Sequence, residues 1–116
     1  MKKVVYMGTP DFAVPALKAL VEAPDFEVVG VVTNPDQPSG RGKKLSASPV
    51  KQYAIEAGIE VFQPKSLKKK SSFDFLKAWQ PDFIVVAAYG KILPQRILDI
   101  PPLWCLNIHA LVSPKY

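Results

Sequence analysis

Asn107 and His109 are the side chains whose types and spacing best suit acyl chemistry in this chain of 116 residues. They stand two apart in Trp104-Cys105-Leu106-Asn107-Ile108-His109, and residues two apart on an extended strand project from one face. An amide N–H can stabilise an oxygen gaining negative charge, and an imidazole can donate or relay a proton. Side by side at a strand end they could polarise a carbonyl. Taken alone, Asn-x-His more often marks a satisfied strand-end histidine. Its meaning therefore rests on what the other elements place around it.

Those elements have one globular domain to work with. A hydrophobic content of 48% with 22% charged residues fits a folded chain and excludes a disordered one. The net charge of +5 permits an anionic partner without identifying it. Cys105 is the single cysteine, which excludes an internal disulfide framework and a multi-cysteine zinc site and fits a reducing cytoplasm. Within an apolar run it reads as a buried structural thiol. No metal site is expected. Lys2 and Lys3 precede only Val4 to Met7 before Gly8-Thr9-Pro10, too short a run for a signal peptide or membrane span. A cytoplasmic chain without membrane attachment is the expectation.

Val4 to Met7, ending at Gly8, reads as a first parallel strand. Thr9 or Asp11 is expected to cap a helix whose apolar positions Phe12, Val14, Leu17, Leu20 and Val21 recur at helical spacing. Only Gly8 is present and Pro10 is rigid, so this turn is no dinucleotide fingerprint. A tight turn and a phosphate or substrate contact remain equally open there. Val28 to Val32 reads as a second strand. Thr33 to Val50, with three prolines, Gly40, Gly42 and the cations Arg41, Lys43 and Lys44, reads as a long loop. Pro49 opens a helix closed by Gly58, and Ile59 to Phe62 forms a short strand. Lys65, Lys68, Lys69 and Lys70 read as a solvated helix end, and Phe73, Phe75, Leu76 and Trp79 as core contacts. Phe83 to Ala88 is the strongest buried strand, Lys91 to Ile100 leads through a short helix, and Pro101-Pro102 resets the chain into the Asn-x-His strand, itself read as buried. Strands alternating with helices predict an α/β fold, a Rossmann-like, mainly parallel sheet of about five strands with flanking helices. Gly8, Tyr89-Gly90 and Asn107-x-His109 then all fall at carboxyl ends of strands, where such sheets bind ligands.

The sequence resembles the amino-terminal catalytic domain of the methionyl-tRNA formyltransferase family. The resemblance is carried by Gly8-Thr9-Pro10-Asp11-Phe12-Ala13, by Pro38-Ser39-Gly40-Arg41-Gly42-Lys43-Lys44-Leu45 with Ser48-Pro49-Val50-Lys51, and by Phe62-Gln63-Pro64. Ala88-Tyr89-Gly90-Lys91-Ile92-Leu93-Pro94 and Leu106-Asn107-Ile108-His109-Ala110 complete it, in the family's order across essentially the whole chain. It implies formyl transfer from 10-formyltetrahydrofolate to the methionine amine of initiator methionyl-tRNA. Asn107 and His109 would be catalytic. Tyr89, Gly90, Lys91, Ile92 and Leu93, through Pro94, would wall the pterin pocket, with Leu111, Val112, Ser113 and Pro114 beside it. Gly8, Thr9, Pro10, Asp11 and Phe12 would face the aminoacylated end, and Arg41, Lys43 and Lys44 would hold tRNA phosphates.

Two departures stand out. After His-Ala the family reads Ser-Leu-Leu-Pro, whereas this chain reads Leu111-Val112-Ser113-Pro114, and a leucine cannot supply the serine's hydrogen bond to folate. The family also continues with an Asp-x-Gly-Asp motif and a carboxyl-terminal β-barrel domain. Residues 1–116 are therefore expected to be a truncated, incomplete formyltransferase fold, the displaced serine and the early end sharing one cause in a damaged reading frame. Catalysis is not expected from this stretch alone. Self-association through surfaces left uncovered is expected instead. The competing functions are a nucleotide-sugar formyltransferase, against which the basic loop counts, a non-catalytic tRNA- or folate-binding remnant, and a folded remnant without a ligand.

Overall fold

The computed structural model describes residues 1–39, 42 and 44–108, with Ser39 by its backbone alone. In chain order the elements are β1 (Lys2–Gly8), α1 (Val14–Glu22), β2 (Phe26–Val32), β3 (Gln37–Ser39), β4 (Lys44–Ser46), α2 (Pro49–Glu56), β5 (Val61–Phe62), α3 (Lys70–Ala78), β6 (Phe83–Ala87), α4 (Gln95–Leu98) and β7 (Trp104–Asn107). Five strands form one parallel sheet in the order β5-β2-β1-β6-β7. The fold is α/β, a Rossmann-like sheet with flanking helices, as the alternation of elements predicts.

Period-two alternation decides which side chain meets which layer. Val4 and Tyr6 of β1 join Val31, Val85 and Ala87 beneath Leu17 of α1 and Val50 and Ala54 of α2. Val5 and Met7 join Val32, Ile84 and Val86 on the other face, against Leu67, Leu76 of α3 and Ile97 of α4. Helices cover both faces, so central β1 reads as a continuous apolar run rather than an alternating one. A bulge at Val29 shifts the register from Val4↔Val28 to Val5↔Gly30. Beside it Gly30 lies under the indole of Trp79, where a Cβ would come within 2.4 Å of the ring.

The differences from expectation have local causes. Neither Thr9 nor Asp11 caps α1. A single 3₁₀ turn over Asp11–Ala13 intervenes, Ala13 occupies the cap position, and Phe12 faces solvent. Ser48, by contrast, caps α2 by accepting the Lys51 backbone N–H at 3.0 Å, with Pro49 in the first turn and Gly58 at φ 74° beyond the end. The long loop contains an antiparallel pair, with Gln37 opposite Ser46 and Ser39 opposite Lys44. Its own short-range pairing satisfies backbone groups that an open loop would leave to water. The last strand is the largest correction. β7 lies at the sheet edge rather than buried, with Trp104 63% and Leu106 51% exposed. Cys105, on the opposite side of the pleat, is half-buried, and burial raises its thiol pKa.

Candidate functional site

Strand order reverses at β1. The chain goes from β1 to β2 on one side and returns to β6 on the other, and the crevice at such a switch point lies outside the strands' carboxyl ends. Gly8 ends β1 beside Ala87, and a Cβ on Gly8 would lie 2.8 Å from the Ala87 carbonyl oxygen. Glycine is therefore needed for the close approach, whatever else the turn contacts. Just beyond, the Thr9 hydroxyl donates to the Tyr89 carbonyl at 3.4 Å and the Asn34 amide donates to the same oxygen at 3.0 Å. Ala88 at φ 57° and Gly90 at φ 90° flank that carbonyl. Left-handed geometry costs a non-glycine residue roughly 1 kcal/mol, so the paired hydrogen bonds to Tyr89 hold a turn that its sequence does not favour.

A polar network backs this turn. Buried Thr33 lies 2.7 Å from the Ser48 hydroxyl and donates toward Thr9 at 3.5 Å. Gln63, following β5, donates to the Asn34 carbonyl at 3.1 Å and to Asp36 at 2.7 Å, while Lys51 reaches both Asp36 oxygens at 3.1 Å. The Gln63 hydrogen bond first, and Lys51 second, lower the Asp36 pKa below its ordinary 3.8. Thr33, Asn34, Asp36, Ser48, Lys51 and Gln63 were missing from the candidate residues. Three of them lie inside quoted motifs (Ser48-Pro49-Val50-Lys51 and Phe62-Gln63-Pro64), the one signal that could have exposed them. Thr33, Asn34 and Asp36 carried no such mark.

On the other side of the turn a groove of about 450 Å³ opens between the ends of β6 and β7. It is lined by Val86, Ala88 and the consecutive Tyr89 to Leu93, and across from them by Asn107 and Ile108. Asn107 is held in register opposite Val86, the Ile108 N–H donates to the Val86 carbonyl at 2.7 Å, and the Asn107 side chain is exposed at the groove. The candidate catalytic amide and the candidate pterin-facing segment thus share one concave surface. Tyr89 contributes to that wall with its ring packed inward among Val5, Met7 and Ile97. Among the described residues its buried hydroxyl has no hydrogen-bond partner, and burial pushes its pKa up to about 12.

The remaining candidates divide. Gly8, Thr9 and Pro10 sit on the β1 side of the turn, with Asp11 and Phe12 exposed. Lys44 is exposed at the start of β4. His109, Arg41, Lys43, Leu111, Val112, Ser113 and Pro114 lie outside the described residues. Among the described residues, no cluster of three or more His, Cys, Asp or Glu could hold a metal ion, and no helix is long and apolar enough to cross a membrane.

The model of one family, formyl transferase, matches residues 1–116. The chain is 58% identical over 115 residues to the methionyl-tRNA formyltransferase of Clostridium novyi, covering 98% of this chain and 37% of that protein. It is 55% identical to the one from Kosmotoga olearia, again over 98% of this chain and 36% of that protein. The chain therefore spans little more than a third of the length of these relatives. Among solved structures, glycinamide ribonucleotide transformylase 1 from Geobacillus kaustophilus superposes with a TM-score of 0.64 at 22% identity, over 94% of this chain and 58% of that one. Phosphoribosylglycinamide formyltransferase from Brucella melitensis does so with 0.63 at 25%, over 93% and 56%.

Proposed function

This chain belongs to the formyl transferase family, and from that premise we propose that it supplies the formyl-transfer groove of a methionyl-tRNA formyltransferase. The single observation behind this reading is the shared groove, in which Asn107 faces Gly90, Lys91, Ile92 and Leu93 at the strands' carboxyl ends. The donor is 10-formyltetrahydrofolate, its pterin lying along Tyr89 to Pro94. The acceptor is the α-amine of methionine on initiator tRNA. In the reaction the amine nitrogen bonds to the formyl carbon, the bond from that carbon to N10 of the folate breaks, and the amine's proton passes to the departing nitrogen. Asn107 donates a hydrogen bond to the formyl oxygen as it becomes an oxyanion, which lowers the barrier where charge develops. His109 assists by moving the proton. Gly8 to Phe12 face the aminoacyl end, and Arg41, Lys43 and Lys44 hold tRNA phosphates. Residues 1–116 as an amino-terminal formyltransferase-like unit, acting in the cytoplasm, belong to the same proposal.

Formyl transfer to methionyl-initiator tRNA by the purified chain, with 10-formyltetrahydrofolate as donor, tests it. Transfer that is lost in Asn107→Ala and His109→Ala, with the chain still folded, supports it and overturns the expectation that this stretch alone is inactive; folate binding without transfer supports the groove and keeps that expectation. A folded chain that neither transfers formyl nor binds a folate overturns it.

A further inference from the structure

The antiparallel pair β3–β4 carries no core of its own. Its described side chains, Gln37, Pro38, Lys44, Leu45 and Ser46, are all exposed, and an isolated two-stranded hairpin is marginal in water. The direction in which it projects therefore depends on what holds its base. Asp36 leads into β3, and Ala47 and Ser48 follow β4. On the entry side Lys51, in the first turn of α2, donates to both Asp36 carboxylate oxygens at 3.1 Å. The Gln63 amide nitrogen donates to the same carboxylate at 2.7 Å and to the Asn34 carbonyl at 3.1 Å. On the exit side the Ser48 hydroxyl caps α2 and lies 2.7 Å from that of Thr33, while Gln52 donates to the Ala47 carbonyl at 2.9 Å. Entry and exit are thus tied to each other and to the carboxyl ends of β2 and β5. The Asp36 and Lys51 side chains are 29% and 20% exposed, so the pair is partly shielded from water.

We propose that Asp36 is the positioning residue of this hairpin, setting through Lys51 and Gln63 the direction in which the hairpin meets the acceptor RNA. The inference deepens the reading of Arg41, Lys43 and Lys44 as phosphate contacts and rests on it. A carboxylate has the wrong charge to hold a phosphate, so Asp36 acts through the hairpin alone. Its removal then has two opposed effects. Taking a negative charge from a basic surface by itself tightens RNA binding. Releasing the hairpin weakens it, because the RNA must then order a loose segment. The second effect wins if Asp36 is the hold. Gln63→Leu takes away a partner of the same carboxylate with no change of charge, so only the second effect acts there.

The test is equilibrium binding of initiator methionyl-tRNA, over a range of salt, to the unmodified chain, to D36A, to Q63L and to the triple variant R41Q/K43Q/K44Q. Far-ultraviolet circular dichroism and 5-formyltetrahydrofolate binding, measured on the same samples, report the rest of the fold. A half-exposed ion pair adds little to stability, so both single variants are expected to fold and to keep the parent's folate affinity. Each should bind tRNA about tenfold more weakly, with a shallower salt dependence because fewer phosphates are engaged. Affinity that rises in D36A, or is unchanged in a folded Q63L, overturns the proposal; loss of binding in the triple variant then leaves the hairpin's RNA role standing. An unmodified chain that does not bind tRNA, or a triple variant that binds as well as its parent, overturns that role and the proposal with it. Single variants that fail to fold, or lose folate and tRNA affinity alike, show a network that supports the whole fold, and equally overturn it.

Discussion

Two tyrosines, buried on opposite faces of the same sheet, should respond in opposite directions to removal of their hydroxyls. Tyr6 and Tyr89 are 0% and 1% exposed. The Tyr6 hydroxyl donates to the Ala13 carbonyl at 2.6 Å, whereas that of Tyr89 has no partner among the described residues. A buried polar group left unpaired costs about 1–3 kcal/mol in desolvation, whereas a satisfied hydrogen bond contributes about 0.5–1.5 kcal/mol. Tyr89→Phe removes a group that is only a penalty, and the small void it leaves offsets part of the gain, so about 1 kcal/mol of added stability is expected. Tyr6→Phe leaves the Ala13 carbonyl without its donor and should cost about 1–2 kcal/mol. The two side chains lie in separate apolar clusters, so the double variant should be additive within about 0.5 kcal/mol. Urea unfolding followed by far-ultraviolet circular dichroism reads both, the midpoint moving up for Tyr89→Phe and down for Tyr6→Phe with the slope unchanged. In melting temperature each kcal/mol amounts to about 4 °C for a chain of this size. A Tyr89→Phe chain no more stable than its parent would refute the reasoning, because it would mean that the hydroxyl has a partner.

Both hydroxyls have pKa values raised from 10.0 to about 12 by burial. The folded chain holds these protons more tightly than the unfolded one, so their contribution is full below pH 10 and falls as pH rises toward 12. An alkaline stability titration should show that fall, and the double phenylalanine variant should lack it. Asp36 acts at the other end of the scale. Its lowered pKa makes its contribution full above 3.8 and lost as pH falls through the lower folded value, so Asp36→Asn should flatten the acid limb of the same titration. Gly30→Ala drives a methyl into the Trp79 ring, whose nitrogen is tied to Glu60 at 2.8 Å. A loss of about 1–3 kcal/mol is expected for such overpacking, measurable by urea unfolding together with a change in tryptophan fluorescence. Asn34→Ala removes the stronger donor to the Tyr89 carbonyl. If the groove takes folate as proposed, folate affinity should fall while the melting temperature moves little, since Asn34 lies beyond the end of β2 and in neither apolar cluster.

Much of this arrangement was legible in the residues. Periodicity marked all five strands of the parallel sheet, because β1 and β6 sit between helical layers and can accept only apolar side chains. Punctuation by Gly8, Pro49, Gly58 and Pro101-Pro102 placed the turns, and motif order brought out the family. Gly8, the Tyr89-Gly90 pair and Asn107 could each be assigned to a strand's carboxyl end before any packing was known, since a strand's direction follows from the chain's. The failures share one cause, a dependence on neighbours distant in sequence. The edge position of β7 depends on which strand lies next to it, and an apolar tetrapeptide reads the same at an edge as in the centre. Asn34, Asp36 and Gln63 are ordinary polar residues until β2 and β5 pair and set their loops against Tyr89. The Tyr89 carbonyl, which accepts from Thr9 and Asn34, follows a positive φ at Ala88, a conformation alanine does not choose by itself. Lys65 and Lys68 likewise share a depression with Lys91 only in the folded chain, where Leu67 is buried and the Ser72 hydroxyl holds the Ser66 carbonyl. Local chemistry determined which elements form and which residues end them. Strand order and the packing of loops across the switch point, set by contacts far apart in the chain, decided which of those ends share a site.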